Sequence, residues 1–342
     1  MVVHHLAVDA VSWQVLLEDL WKAYQQLRDG DDVALGEKTT SFRRWAHRLE
    51  TYAGSEELKH ELAHWRRQAP ARWEALPVDV HEGENLEGTV DRVTVELSPE
   101  ETEALLREVP RIHRTRVDDV LLGALLAAFH TWTARSWLLV ELEGHGREAL
   151  FEDVDLSRTV GWFTSRYPVL LEAKTPDEPP SALREVKETL RAVPARGIGY
   201  GVLRHLSRDP EVADALRDLP EPEVGFNYRG QVAGPRDGDG RFRAAAEPVG
   251  RTRSPEERRA HLLDVEGMVM GGRLQVTWLY SRNRHLRATV ETLAASYARW
   301  LRELVEGCAE EAAPGLTPSD FPEADLTQEE LAQLLEDLRA AT

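Results

Sequence analysis

A chain of 342 residues with 42% hydrophobic and 30% charged residues has the composition of a folded, water-soluble protein. That length allows one large core or two smaller ones. Its 42 Lys and Arg against 60 Asp and Glu leave a formal charge of −18, which excludes nucleic acid as a partner. The single cysteine, Cys308, excludes an internal disulfide framework, and nothing near it in sequence activates it. No apolar run reaches bilayer length and no signal-like segment precedes one, so the sequence reads as cytoplasmic, with no membrane partner.

In chain order, Val2-Val3 predicts the end of a buried strand, and His4-His5 follows it. Asp9 and Ser12 are residue types that cap a helix, and Trp13, Leu16, Leu17, Leu20, Trp21 and Tyr24 then recur at helical spacing. A strand beginning at residue 2 has its sheet neighbours elsewhere, so the sequence reads as the carboxy-terminal portion of a longer domain. Asp29 to Lys38 is a polar loop. Ser41 opens a helix with Phe42, Trp45, Leu49 and Tyr52 on one face, and Ser55 opens another with Leu58, Leu62 and Trp65. These tryptophans read as core, and His47, His60 and His64 as solvated surface.

Asp91 to Leu97 alternates like a strand. Ser98-Pro99-Glu100-Glu101 is a capping box with proline at the first helical position, and the helix it starts is expected to end at Pro110. Val117 to Phe129 carries a broad apolar face and predicts a buried helix. Trp137 to Leu142 is strand-like and runs into Glu143-Gly144-His145-Gly146-Arg147-Glu148. A carboxylate ending a buried strand is a candidate general base, its pKa raised by burial. The glycine pair is too short for a nucleotide fingerprint. Later come a connector at Thr175 to Pro180, a solvated loop at Gly234 to Arg259, and a hairpin from His261 to Ser281 turning at Gly271-Gly272. A helix from about residue 285 to 305 closes the globular part. Residues 314–342 form a tail whose acidic helix carries Leu331, Leu334, Leu335 and Leu338. Strands alternating with helices predict an α/β layer.

The pattern His4-His5-x-x-x-Asp9-x-x-Ser12-Trp13 resembles the signature of the condensation-domain superfamily of nonribosomal peptide synthetases. The Ser-Trp continuation is similar to its epimerization branch. So are the Glu143 block, Asp153 to Ser165, Gly197 to Leu203, Val224 to Gln231 and the hairpin. One departure is Ala10, where the family usually has glycine; a loop needing a glycine-only backbone angle would be strained there. The resemblance implies a two-lobed α/β fold like chloramphenicol acetyltransferase with an incomplete N-terminal lobe. Residues 1–90 would be the remainder of that lobe, 91–310 the C-terminal lobe, and 311–342 a tail with a docking helix.

It further implies L-to-D epimerization at the α-carbon of an aminoacyl or peptidyl thioester. His5 and Glu143 are the implied acid/base pair, with Tyr228 as a third catalytic residue. His4, Asp9 and Arg147 are expected to support the site, Asp9 through an ion pair with Arg147. The domain would need no cofactor or metal of its own, since the phosphopantetheine arm belongs to the partner, a peptidyl carrier protein. The C-terminal helix would reach a downstream synthetase module. The alternatives are an inactive carrier-binding remnant and a peptide-bond-forming condensation domain. A metal enzyme using His4, His5 and Asp9 is a further one, disfavoured because adjacent residues on a strand point to opposite faces.

Overall fold

The structure is a computed structural model that describes residues 2–70, 73–231, 247, 250–307, 316–321, 323–324 and 326–340. The chain opens with helices α1 (Ala10–Asp29), α2 (Phe42–Tyr52), α3 (Glu56–His60) and α4 (Leu62–Arg66). Strand β1 (Val90–Glu96) then leads to α5 (Pro99–His113), α6 (Val117–Thr133), β2 (Trp137–Gly144) and β3 (Ser165–Glu172). Helices α7 (Pro179–Arg191), α8 (Ile198–Leu206) and α9 (Pro210–Arg217) follow. Strands β4 (Val224–Gln231), β5 (Leu263–Met270) and β6 (Arg273–Ser281) precede α10 (Arg287–Gly307) and α11 (Gln328–Ala340).

Among the described residues, the six strands form one sheet in the order β1-β6-β5-β4-β2-β3. β4 runs parallel to both β2 and β5, while the remaining neighbours are antiparallel. Side chains alternate across a strand, so each has a core face and an opposite face. Leu138, Val140 and Leu142 of β2, Val224 and Phe226 of β4, and Val276, Trp278 and Tyr280 of β6 pack into the main core. Buried α6 and α10 complete it. The opposite face carries Glu141, Glu143, Arg166, Asn227 and Asp264, held in charged contacts. A second cluster joins Tyr52, Leu58 and Trp65 to Tyr200, Leu203 and Leu216, so α2–α4 pack on α8 and α9.

Several local expectations change. Val2 and Val3 form no strand; residues His5–Ala7 make a single 3-10 turn instead. Helix α5 runs through Pro110 to His113. Proline's fixed φ suits a helix even though it lacks the N–H, and buried Val109 and His113 hold this last turn to the core. His64 is half-buried against Trp65 rather than solvated, with burial holding its pKa down.

The predicted solvated loop falls largely on residues 232–246 and 248–249, outside the described ones, as does Cys308. Its described residues 250–258 are exposed, and Arg259 at its end is buried. In the tail, Leu331 is buried and Leu334 exposed, while the side chains of Leu335 and Leu338 lie outside the described residues. Before α11, the turn Pro318–Asp320 is fastened to the core: buried Lys187 of α7 donates to Asp320 Oδ2 at 2.7 Å. Among the described residues, no helix is long and apolar enough to cross a membrane.

Candidate active site

The two histidines sit on the turn that residues 4–7 make before α1. His4 Nδ1 accepts from the Leu6 N–H at 3.1 Å, which fixes the turn. Both histidines are exposed, and the His5 ring lies 5.2 Å from that of Trp162. Asp9 caps α1 by accepting the Ser12 N–H at 2.7 Å. Ala10 is the first helical residue, is exposed, and has no positive φ. Its methyl group therefore strains nothing, and the missing glycine has no backbone consequence.

Asp9 and Arg147 are joined across the chain. Arg147 Nη2 donates to both Asp9 oxygens at 3.0 and 3.1 Å, and Nη1 to the carbonyls of Leu156 and Thr159. The Arg147 guanidinium also lies 3.9 Å from the centre of the Phe163 ring. Ser12 Oγ exchanges two hydrogen bonds with the Gly161 backbone, and the Phe163 N–H donates to Asp9. Burial alone would raise the Asp9 pKa, but the Ser12 and Arg147 bonds outweigh it and hold the carboxyl below its ordinary range. The histidine turn is thus tied to the segment that leads into β3.

Glu143 stands near the end of β2. It is less buried than the sequence suggests: the side chain is 31% exposed, because the apolar run ends before it. Asn227 Nδ2 donates to Oε2 at 2.7 Å, and Arg166 Nε lies 3.5 Å from Oε1. Parallel pairing of Leu142 with Phe226 puts the next residues, Glu143 and Asn227, on one face. Tyr228 alternates to the other face with Phe226, half-buried and packed against the main core. Burial, then nearby Asp118, raises its pKa. The fold therefore groups Glu143 with Asn227 and Arg166 but does not place Tyr228 on their face.

No hydrogen bond or ion pair joins His5 to Glu143. What reaches both is one short segment, with Trp162 against His5 and Arg166 against Glu143. His145 lies beside them, accepting the Arg147 N–H and pairing with Glu148. Asn227 and Arg166 carry no signal of their own in the sequence, although Asn227 lies inside a block that stands out there. Among the described residues, no three His, Cys, Asp or Glu are grouped to hold a metal ion.

Residues 1–327 match the family model described as the condensation domain. The chain belongs to the condensation-domain family. This condensation domain is 46% identical over 330 residues to a linear gramicidin synthase protein of Brevibacillus parabrevis, covering 96% of the chain and 4% of that protein. It is 38% identical to surfactin synthase subunit 1 of Bacillus subtilis, over 98% of the chain and 9% of the relative. The chain thus spans a small part of these curated relatives. Among solved structures it resembles the epimerization domain from the third module of tyrocidine synthetase B, with TM-score 0.82 and 36% identity. That match covers 90% of this chain and 68% of the other. The first condensation domain of the CDA synthetase shares the fold at 19% identity, with TM-score 0.57 over 92% of this chain and 64% of that one.

Proposed function

We propose that this condensation domain is an epimerase that inverts the α-carbon of an aminoacyl or peptidyl thioester. The thioester is carried on the phosphopantetheine arm of a peptidyl carrier protein, which brings the only prosthetic group. The carrying observation is Glu143 held by Asn227 on a block whose Arg147 clamps Asp9 of the histidine turn. The 36% identity with a tyrocidine synthetase epimerization domain supports the same reading.

A thioester acidifies its α-proton by delocalising the resulting carbanion onto the carbonyl oxygen. Inversion needs one group to take that proton and another to return a proton to the opposite face. Of the titratable side chains on the tied segments, Glu143 and His5 are the pair assigned to these two steps. Asn227 fixes Oε2 of the carboxylate, which leaves Oε1, approached more loosely by Arg166, to accept the proton. The hydrogen bond toward the substrate expected of Tyr228 is not part of this scheme, because Tyr228 packs with Phe226 on the opposite face of the sheet.

The test loads a carrier protein with an L-aminoacyl group and incubates it with the full chain in heavy water. Deuterium at the α-carbon and a mixture of L and D products are the expected result. Glu143→Gln and His5→Ala abolish both while carrier binding is retained. Dipeptide formation with a second loaded carrier, without deuterium uptake, selects peptide-bond formation instead.

A further inference from the structure

Behind the Glu143 group, the same face of the sheet holds a charged cluster around a buried histidine that the reaction above does not use. At its centre is His261, whose Nδ1 lies 2.7 Å from Asp264 Oδ1 and whose Nε2 lies 3.2 Å from Glu141 Oε1. Arg259 closes the far side, donating to Asp264 Oδ2 at 2.6 Å and to the Leu279 carbonyl at 3.0 Å. Burial alone would lower the His261 pKa, but its bonds to Asp264 and Glu141 outweigh that and raise it to about 9. The ring is therefore a cation at neutral pH. Three further groups face this cluster: Arg253 toward Asp264, Tyr200 of α8 toward Glu141, and His285 toward Arg259.

The cluster continues to the site. Glu141 Oε1, already bound by His261, is also 3.3 Å from Arg166 Nη1, and Arg166 Nε faces Glu143 Oε1 at 3.5 Å. Arg166 is thus shared by two carboxylates of β2, and His261 supplies one of them with a second cation. The strand between them is shaped for this arrangement. A Cβ on Gly225 would come within 2.6 Å of Asp264 Oδ1 and 2.7 Å of His261 Nδ1, so β4 leaves room for the pair by carrying no side chain there.

Resting on the epimerase reading, we propose that His261 is a positioning residue for Glu143, acting through Glu141 and Arg166. With the imidazolium in place, Glu141 is satisfied and Arg166 remains divided between Glu141 and Glu143. Without it, Arg166 is the remaining cation on Glu141 and is drawn toward it, leaving Glu143 with Asn227 alone. The carboxylate is then no longer held in place to receive the proton.

The experiment measures kcat, KM and the pH dependence of kcat for His261→Gln, Glu141→Gln and the double variant in the full chain. The Arg166 Nε–Hε cross-peak, assigned by its loss in Arg166→Lys, is followed in parallel. His261→Gln lowers kcat by about 10-fold to 100-fold with little change in KM, and moves the acid limb of the profile to higher pH. Glu141→Gln moves that limb to lower pH, because it releases Arg166 to Glu143. The double variant behaves like Glu141→Gln, because His261 acts only through Glu141, and the cross-peak moves in His261→Gln but not in His113→Gln, a control at another buried histidine. An Arg166 cross-peak indifferent to His261, or an unmoved acid limb in Glu141→Gln, overturns the proposal. If the cross-peak responds as described while wild type takes up no deuterium, the coupling stands and the epimerase reading fails.

Discussion

Arg147 donates to one carboxylate and two carbonyls, and it does so while its side chain is 9% exposed and that of Asp9 6%. Removing one member of such a pair strands the other without water, so Arg147→Ala is expected to cost about 3 kcal/mol in chemical denaturation. Arg147→Lys keeps the charge but not the geometry for several acceptors at once, and should recover only part of that loss. Asn227 presents a different case. It orients a solvent-accessible carboxylate, so Asn227→Ala should leave stability nearly unchanged and lower kcat by about 10-fold or more. A matching loss of unfolding free energy in that variant would make Asn227 a structural residue instead.

At the scale of elements, most helices and strands are legible in the sequence because their periodicity and caps are local. The Ser98–Glu101 capping box forms in both directions, and the hairpin turns at Gly271 and Gly272 with φ of 59° and 77°. Ser98→Ala should accordingly cost about 1 kcal/mol in thermal or chemical unfolding. The misreadings arise where a local signal meets a longer-range one. Val2-Val3 has strand-like residues but nothing in the described structure to pair with, and Pro110 is overridden by the packing of Val109 and His113. The site is half legible. His5, Asp9, Glu143 and Arg147 stand out as motif residues, whereas Arg166 and His261 become neighbours of β2 only through sheet register. Gly225 shows the same thing from the other side, since only the sheet reveals why a side chain is unwelcome there. Gly225→Ala is expected to push the His261–Asp264 pair aside, lowering activity more than Gly201→Ala, as nothing lies within 4 Å of a Cβ on Gly201.

For the whole molecule, the titrating groups define a window of stability. The His261 pKa is raised from 6.5 to about 9, so its contribution is complete below pH 6.5 and is lost as pH rises through about 9. Asp9, Glu141 and Asp264 shift the other way, below ordinary values of 3.8, 4.5 and 3.8, so their contributions are lost as pH falls into that range. His261 accordingly predicts a decline in thermal stability as pH rises from 7 through about 9. Replacing His261 by Gln should flatten that alkaline decline. A wild-type melting curve indifferent to pH from 7 to 9.5 would falsify the protonated state assigned to the ring.

The bond between Lys187 and Asp320 sets where this protein tolerates being shortened. The Lys187 side chain is 1% exposed with this turn in place, so a version ending before Thr317 would take away its carboxylate partner and leave it the His113 carbonyl. A version ending after Phe321 keeps its counter-ion. The two differ by only a few amino acids, yet the shorter should be poorly expressed, and Lys187→Met should rescue it.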